Sequence, residues 1–159
     1  MGTSSFDTLF KAVSDSKFCA ENELTCQIGA GSYRPMNGRV LRYTNNFKMM
    51  LDTADLVVSH AGIGTVFESL KMDKKLVVVA NMERVDKHQQ ELSRYLKEHG
   101  LAVVLTKVEE LDAALKAALS FNRSAFNPEG FFRMSDVLQV INDAFEKREF
   151  EELQRSKIK

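Results

Sequence analysis

The stretch Asp55-Leu-Val-Val-Ser-His-Ala-Gly-Ile-Gly-Thr65 decides the fold of this chain. Its run Leu56-Val57-Val58 is short, apolar and rich in β-branched side chains, which predicts a buried strand. Two glycines, Gly62 and Gly64, follow the strand, and an apolar helical pattern begins at Val66. A strand that leads through a glycine turn into a helix is the unit from which parallel α/β sheets are built.

The same alternation of apolar runs and helical patterns continues on both sides of this stretch. Further strands are predicted over residues 24–28, 39–43, 76–79 and 101–105, and helices over residues 6–21, 47–54, 86–98 and 108–118. Residues 121–130 are predicted to form a loop, because Pro128 and Gly130 interrupt the pattern. The sequence therefore predicts a Rossmann-like open parallel sheet with helices on both faces, and ligands of such sheets bind at the carboxyl ends of the strands.

Length and composition exclude several classes of protein. A chain of 159 residues fits one domain with a small appendage, which we place at residues 1–130 and 131–159. The 22 basic and 22 acidic side chains disfavour a nucleic-acid-binding protein, which usually carries a basic excess. No apolar run approaches the length of a membrane span, and Met1 is followed by polar residues unlike a signal peptide. The two cysteines form neither a metal spacing nor a disulfide framework, so a soluble protein of a reducing compartment is expected.

The turn after the strand at Leu56 is the first candidate site. Gly62 and Gly64 would let backbone amides approach an anion, and the positive end of the following helix favours negative charge. His60 could donate a hydrogen bond to a phosphate oxygen, and Glu68 could accept hydrogen bonds from ribose hydroxyls. The alternative is a glycine turn that only allows the helix to pack closely on its strand.

Three further segments are positioned as loops or helix starts after strands. Asp86 to Glu91 contains His88, Gln89 and Gln90, whose donors and acceptors suit sugar hydroxyls, but a solvated helix start with Asp86 as N-cap is the commoner origin of such residues. The small-residue segments Gly2 to Ser5 and Gln27 to Ser32 are also positioned as if after strands, but each taken alone is more typical of an ordinary loop. For neither cysteine does the sequence indicate a basic group that would activate the thiol, and no cluster of carboxylates and histidines indicates a metal site.

Taken together, these motifs resemble a known family. The string from Asp55 to Thr65, followed by Glu68-Ser-Leu, Leu76-Val-Val-Val and His88-Gln89, is similar to the cytosolic subunit of the eukaryotic UDP-GlcNAc:dolichyl-diphosphate-GlcNAc N-acetylglucosaminyltransferase. The opening Gly2-Thr-Ser-Ser-Phe-Asp-Thr-Leu and the turn Gln27-Ile-Gly29 match in order and separation. The resemblance covers about Gly2 to Leu105 and weakens in the last third of the chain.

The resemblance implies a fold and a set of donor-binding residues. The chain would be equivalent to the C-terminal, donor-binding half of a GT-B glycosyltransferase, with UDP-GlcNAc as donor substrate and neither metal nor other cofactor. In the family the first motif lies near the diphosphate, the helix glutamate contacts the ribose and the later motif reaches the sugar. Carried over, the donor-binding residues are His60, Gly62, Gly64, Thr65, Glu68, His88, Gln89, Gln90, Gly2, Thr3 and Gly29. The catalytic base stays unknown: His60 is a candidate only through its proximity to the diphosphate, and the base could instead lie on a partner subunit.

The resemblance also implies a partner, because the chain supplies only one of the two halves of a GT-B enzyme. In the family a membrane-anchored subunit binds the lipid-linked oligosaccharide acceptor, and it would recruit this cytoplasmic chain to the cytosolic face of the endoplasmic reticulum. A helix carrying Phe131, Met134, Leu138, Ile141 and Phe145 would either dock on that partner or pack on its own sheet. The family has an apolar strand before the Gly2-Thr3 loop, where Met1 stands here, so we expect either that the sequence is truncated at this point or that the sheet lacks this first strand.

Two other functions fit the same residues. A related bacterial two-subunit exopolysaccharide glycosyltransferase would use another UDP-sugar, such as UDP-glucose or UDP-galactose. A binding domain without catalytic activity would retain the fold but lack a working cleft, which the expected absence of the first strand favours. Activity with a membrane partner, and competition among nucleotide sugars, would separate these alternatives.

Overall fold

A computed structural model describes residues 6–80 and 87–132 of the chain, and for residues 87, 88 and 132 it describes the backbone alone. The chain divides into two compact units, Met1–Phe126 and Asn127–Lys159. The first unit alternates helices and strands. Its helices are α1 Asp7–Asp15, α2 Lys17–Ala20, α3 Phe47–Thr53, α4 Ile63–Lys71, α5 Lys87–Glu98 and α6 Leu111–Ser120, with a 3-10 turn at Val108–Glu110. Its strands are β1 Thr25–Gln27, β2 Arg39–Leu41, β3 Leu56–His60, β4 Lys75–Val79 and β5 Val103–Leu105.

Every pair of neighbouring strands in the described residues is parallel. One sheet has the order β1-β2, with Thr25 opposite Arg39, and the other has the order β3-β4-β5, with His60 opposite Val79. The predicted Rossmann-like α/β fold is therefore confirmed, although these strands form two parallel sheets rather than one continuous sheet. Neither β1 nor β3 has a second strand paired to its other edge within the described residues.

The hydrophobic core joins the two sheets. Strand β4 is its centre, because Val77, Val78 and Val79 are completely buried, as is expected for a strand covered on both faces. Cys26 and Ile28 at β1 belong to the same cluster as Val77 and Val79, together with apolar residues of α1 and α6. The apolar runs that predicted the strands are thus the residues that hold the unit together.

The helix predicted over residues 6–21 is two helices, because the chain leaves helical geometry at Ser16. The φ and ψ angles of Ser16 are −74° and 124°, and its hydroxyl accepts a hydrogen bond from the N–H of Cys19 at 3.0 Å. Serine side chains offer the backbone this local alternative to a continuous helix, so Ser16 ends α1 and caps α2. The Ser16 hydroxyl also donates to the carboxylate of Asp112 on α6.

Replacing Ser16 by alanine is expected to lower stability in a pH-dependent manner. The Ser16 hydrogen bond is the largest cause that holds the pKa of Asp112 below its ordinary value of 3.8, and burial opposes it. A carboxyl with a depressed folded-state pKa contributes stability above its unfolded pKa and loses that contribution as the pH falls through the folded value. We therefore expect Ser16→Ala to cost about 1 kcal/mol at pH 6, most of it through the lost cap. The difference should shrink below about pH 4, and urea unfolding at pH 6 and pH 3 measures it; a difference that grew at pH 3 would contradict the assignment.

The prediction of a loop over residues 121–130 was wrong for its last residues. Residues Pro128–Phe132 form a short helix, α7. The Asn127 side chain accepts hydrogen bonds from the N–H groups of Glu129 and Gly130 at 3.1 and 3.2 Å, which is an N-cap. Proline favours the first helical position, where its missing N–H costs nothing. Pro128 thus starts a helix instead of interrupting one.

Some predictions fall on residues outside the described ranges. Gly2 and Thr3 lie there, as do Met134, Leu138, Ile141 and Phe145 of the predicted docking helix. The division into residues 1–130 and 131–159 also stays a prediction. None of the helices in the described residues is long and apolar enough to cross a membrane.

Candidate functional site

The first motif forms a tight turn between β3 and α4. Strand β3 ends at His60, whose carbonyl accepts hydrogen bonds from the N–H of Gly62 at 2.6 Å and from the Ser59 hydroxyl at 2.8 Å. Helix α4 begins at Ile63, only three residues after the strand ends. The predicted order of strand, glycine turn and helix is therefore confirmed, and the turn lies at the carboxyl end of its strand.

The N-terminus of α4 has no side-chain cap. Gly62 occupies the cap position and has no side chain to offer the first turn of the helix. The N–H groups of Ile63, Gly64 and Thr65 precede the first intrahelical hydrogen bond, and in the described part of the chain no other acceptor takes them. Gly64 is exposed, and a Cβ built on it would meet no atom within 4 Å. Unpaired amides, the positive end of the helix dipole and open space together suit an anion.

His60 forms one wall of this turn. Its side chain is buried, with 6% of its surface exposed. A Cβ added to Gly62 would lie 2.7 Å from Nε2 and 2.9 Å from Cε1 of the imidazole, so the ring occupies the space that a side chain at Gly62 would need. The close approach of the ring is what requires glycine at position 62. The backbone does not require it, because the angles there, φ −89° and ψ 119°, suit any residue.

Glu68 lies one helical turn after Gly64. Residues four apart share a face of a helix, so the half-buried Glu68 is on the side of α4 that Gly64 leaves open. Thr65 is also half-buried, and its carbonyl accepts a hydrogen bond from the fully buried Ser69 hydroxyl at 2.7 Å. The structure thus brings His60, Gly62, Gly64, Thr65 and Glu68 together at the start of α4.

The second motif belongs to α5, the helix that follows β4. Because His60 is opposite Val79, β3 and β4 end side by side at one edge of the sheet. On α5, Gln89 is buried with 9% exposure and Gln90 is exposed; His88 lies where only the backbone is described. The spacing to the buried Leu92 and Leu96 could have distinguished Gln89 from Gln90 in the sequence, since residues three or four apart share a helix face.

The loop of Gly29 differs from the turn of Gly62. Gly29 has φ of 59°, a left-handed conformation that favours glycine. Its N–H donates to the carbonyl of Arg42 at 2.9 Å, and the N–H of Gly31 donates to that of Ile28 at 3.0 Å. The N–H of Ser32 donates to the Asp7 carboxylate. These three amides are engaged within the protein, in contrast to those of Ile63, Gly64 and Thr65 at the start of α4.

A reactive thiol or a metal centre would be a different kind of site. Burial raises the pKa of both thiols, that of Cys26 to about 11, so neither is a thiolate at neutral pH. In the described residues no group of three or more His, Cys, Asp or Glu side chains could hold a metal ion. The site residues predicted from the sequence did not include Asp7 or Arg42, which contact the Gly29 loop. Asp7 belongs to the opening motif Gly2-Thr-Ser-Ser-Phe-Asp-Thr-Leu, but no role was predicted for it.

These features define a Rossmann-like α/β domain in which a glycine turn at a strand end leads into an uncapped helix, an arrangement that suits an anion. The family model of the glycosyltransferase family 28 C-terminal domain matches residues 1–140. The chain belongs to this family.

Several curated proteins are similar to this chain. The mouse (Mus musculus) UDP-N-acetylglucosamine transferase subunit ALG13 is 39% identical over 114 residues, which are 63% of this chain and 10% of that protein. The human (Homo sapiens) protein of the same name is 40% identical over 113 residues, again 63% and 10%. The NMR solution structure of ALG13 has 28% identity and a TM-score of 0.45, over 60% of this chain and 50% of that chain. The chain thus matches about a tenth of the length of its mammalian relatives.

Proposed function

We propose that this chain binds UDP-GlcNAc as the donor-binding part of an N-acetylglucosaminyltransferase. The observation that carries the proposal is the uncapped N-terminus of α4, with unpaired amides at Ile63, Gly64 and Thr65 beside open space. Membership of glycosyltransferase family 28 and the name of the mammalian relatives, UDP-N-acetylglucosamine transferase subunit, support it.

In this proposal the diphosphate of the donor lies at the start of α4. The amides and the dipole of the helix stabilise the negative charge that grows on UDP as the glycosidic bond breaks, and they do so without a metal ion. Glu68 accepts hydrogen bonds from the ribose hydroxyls, because a carboxylate one turn into the helix is a strong acceptor near the nucleoside. His88, Gln89 and Gln90 recognise the sugar, and Gly2, Thr3 and Gly29 complete the donor loops.

The acceptor side is proposed to come from a partner. The mammalian relatives are named as subunits, which supports a second chain for this one as well. That chain would anchor the complex at the cytosolic face of the endoplasmic reticulum and bind the GlcNAc-diphosphate-lipid acceptor. Inverting transfer needs a base for the acceptor hydroxyl, and the 6% exposure of His60 favours a base on the partner.

Replacing Glu68 by alanine is expected to weaken UDP binding about tenfold, because hydrogen bonds to a charged acceptor are among the stronger ones. Glu68→Gln keeps an acceptor oxygen and should lose less. Isothermal titration calorimetry with UDP measures both variants. Glu98→Ala removes an exposed glutamate from the last turn of α5 and is the control, which should bind like the wild type. Unchanged affinity in Glu68→Ala would contradict the ribose assignment.

The complete activity is tested with membranes. Co-expression and pull-down should recover a membrane-bound partner, and the complex should transfer GlcNAc from UDP-GlcNAc to a GlcNAc-diphosphate-lipid. Competition with UDP-glucose and UDP-galactose tests the bacterial-type alternative, which predicts that one of these sugars is preferred. A complex without any transfer would favour the non-catalytic binding domain.

A further inference from the structure

Two charged side chains hold the loop from Gly29 to Ser32. Both carboxylate oxygens of Asp7 accept hydrogen bonds from the N–H of Ser32, at 3.0 and 3.1 Å. From the other side, Nη1 of Arg42 donates to the carbonyl oxygens of Gly29 and Gly31, each at 3.3 Å. An acid and a base thus bind the backbone of one short loop.

The sequence of the loop is suited to this contact. A Cβ added to Gly31 would lie 2.7 Å from Oδ1 of Asp7 and 3.0 Å from the carbonyl oxygen of Ile28. Only glycine leaves space for the carboxylate at this position. Gly29 is in the left-handed region of backbone conformation. In the resulting loop the carbonyls of Gly29 and Gly31 face Arg42, and the N–H of Ser32 faces Asp7.

The position of the two side chains connects three parts of the unit. The loop follows β1 at its carboxyl end, where open α/β sheets bind their ligands. Arg42 directly follows β2, the strand paired with β1. Asp7 is the first residue of α1. The amides of Gly29, Gly31 and Ser32 already donate hydrogen bonds within the protein. The loop would therefore contact a ligand through its fixed backbone conformation and not through these three N–H groups.

We propose that Asp7 and Arg42 are positioning residues for the nucleotide-sugar donor. They fix the Gly29–Ser32 loop before the ligand arrives, so that binding does not have to order it. This inference rests on the proposed function, because it requires a nucleotide bound at this edge of the unit. Without the hydrogen bonds with Asp7 and Arg42, the loop would have to become ordered during binding, and the lost conformational freedom would lower the affinity.

The test is UDP titration by calorimetry with four variants of the full chain. Asp7→Ala and Arg42→Ala should each weaken UDP binding about tenfold, mainly through a less favourable binding entropy. Asp7→Asn retains one acceptor for the Ser32 N–H and should restore part of the affinity. Ser14→Ala is the matched control, because Ser14 also lies on α1 and accepts a hydrogen bond from Met36, further along the same connection. It should bind UDP like the wild type.

Hydrogen exchange supplies a second measurement that does not depend on affinity. The amides of residues 29–32 should exchange faster in free Asp7→Ala than in the wild type, and saturating UDP should return them to the wild-type rate. Unfolding midpoints establish that each variant is folded at the titration temperature. Equal UDP affinity of Asp7→Ala and the wild type, with Glu68→Ala weakened, would overturn this inference alone. A wild-type chain that binds no UDP would overturn the proposed function together with it.

Discussion

Replacing Gly64 by aspartate is expected to abolish UDP binding and at the same time to stabilise the fold. The affinity should fall on the order of a hundredfold or more, because a carboxylate would stand where the donor diphosphate is proposed to lie and like charges at close range cost several kcal/mol. The free energy of unfolding should rise by about 1 kcal/mol. Aspartate is favourable in the first turn of a helix, and glycine is an unfavourable helical residue.

The opposite signs make this prediction sharp. A variant that loses binding because it unfolds would lose stability too, whereas Gly64→Asp has open space around its new side chain. Gly64→Asn is the matched control, since asparagine has nearly the same size without the charge, and its loss of affinity should be tenfold or less. Urea unfolding and UDP calorimetry on the three proteins supply both quantities. Equal losses in the Asp and Asn variants would contradict an anion at this helix terminus.

The local parts of the fold could be predicted from the sequence because they depend on neighbouring residues. Apolar β-branched runs specify buried strands, and the structure places β3 at Leu56–His60 and β4 at Lys75–Val79, close to the predicted runs. The helix predicted over residues 47–54 is α3, Phe47–Thr53. Where the prediction failed, a single side chain determined the local geometry. The side chains of Ser16 and Asn127 each accept hydrogen bonds from backbone amides. Such caps cannot be predicted from hydrophobic periodicity.

The segments that form the candidate site could be predicted from the sequence, but the contacts and the free space within it could not. The glycine turn and the polar start of α5 were recognisable because both follow strands. The contact of Asp7 with Ser32 spans 25 residues, and it depends on where the start of α1 lies relative to the loop after β1, which no local pattern contains. The space around Gly64 and the lack of space around Gly62 also follow from side-chain placement, although the two glycines are only two residues apart and look alike in sequence.

Because Gly62 has no free space around it, replacing it by alanine is expected to destabilise the fold strongly. The added methyl group would lie within 3 Å of two ring atoms of the buried His60, so the ring must move or the turn must open. Overpacking of this kind costs about 2 kcal/mol in unfolding free energy. UDP binding should also weaken, because the same turn aims the first amides of α4. The φ and ψ angles of Gly62 allow alanine, so the cost comes from the imidazole and not from backbone strain.

A double-mutant cycle tests this origin directly. In a His60→Ala background the ring is absent, and Gly62→Ala should then cost less than about 0.5 kcal/mol, which is a coupling of at least about 1.5 kcal/mol between two contacting residues. Gly64→Ala is the matched control: with nothing within 4 Å of the new Cβ, it should stabilise the helix by up to about 1 kcal/mol. Chemical unfolding of the variants measures every term. The same cost for Gly62→Ala in both backgrounds would mean that His60 does not shape the turn, whereas strong coupling would identify the imidazole as the reason this strand-to-helix turn requires glycine.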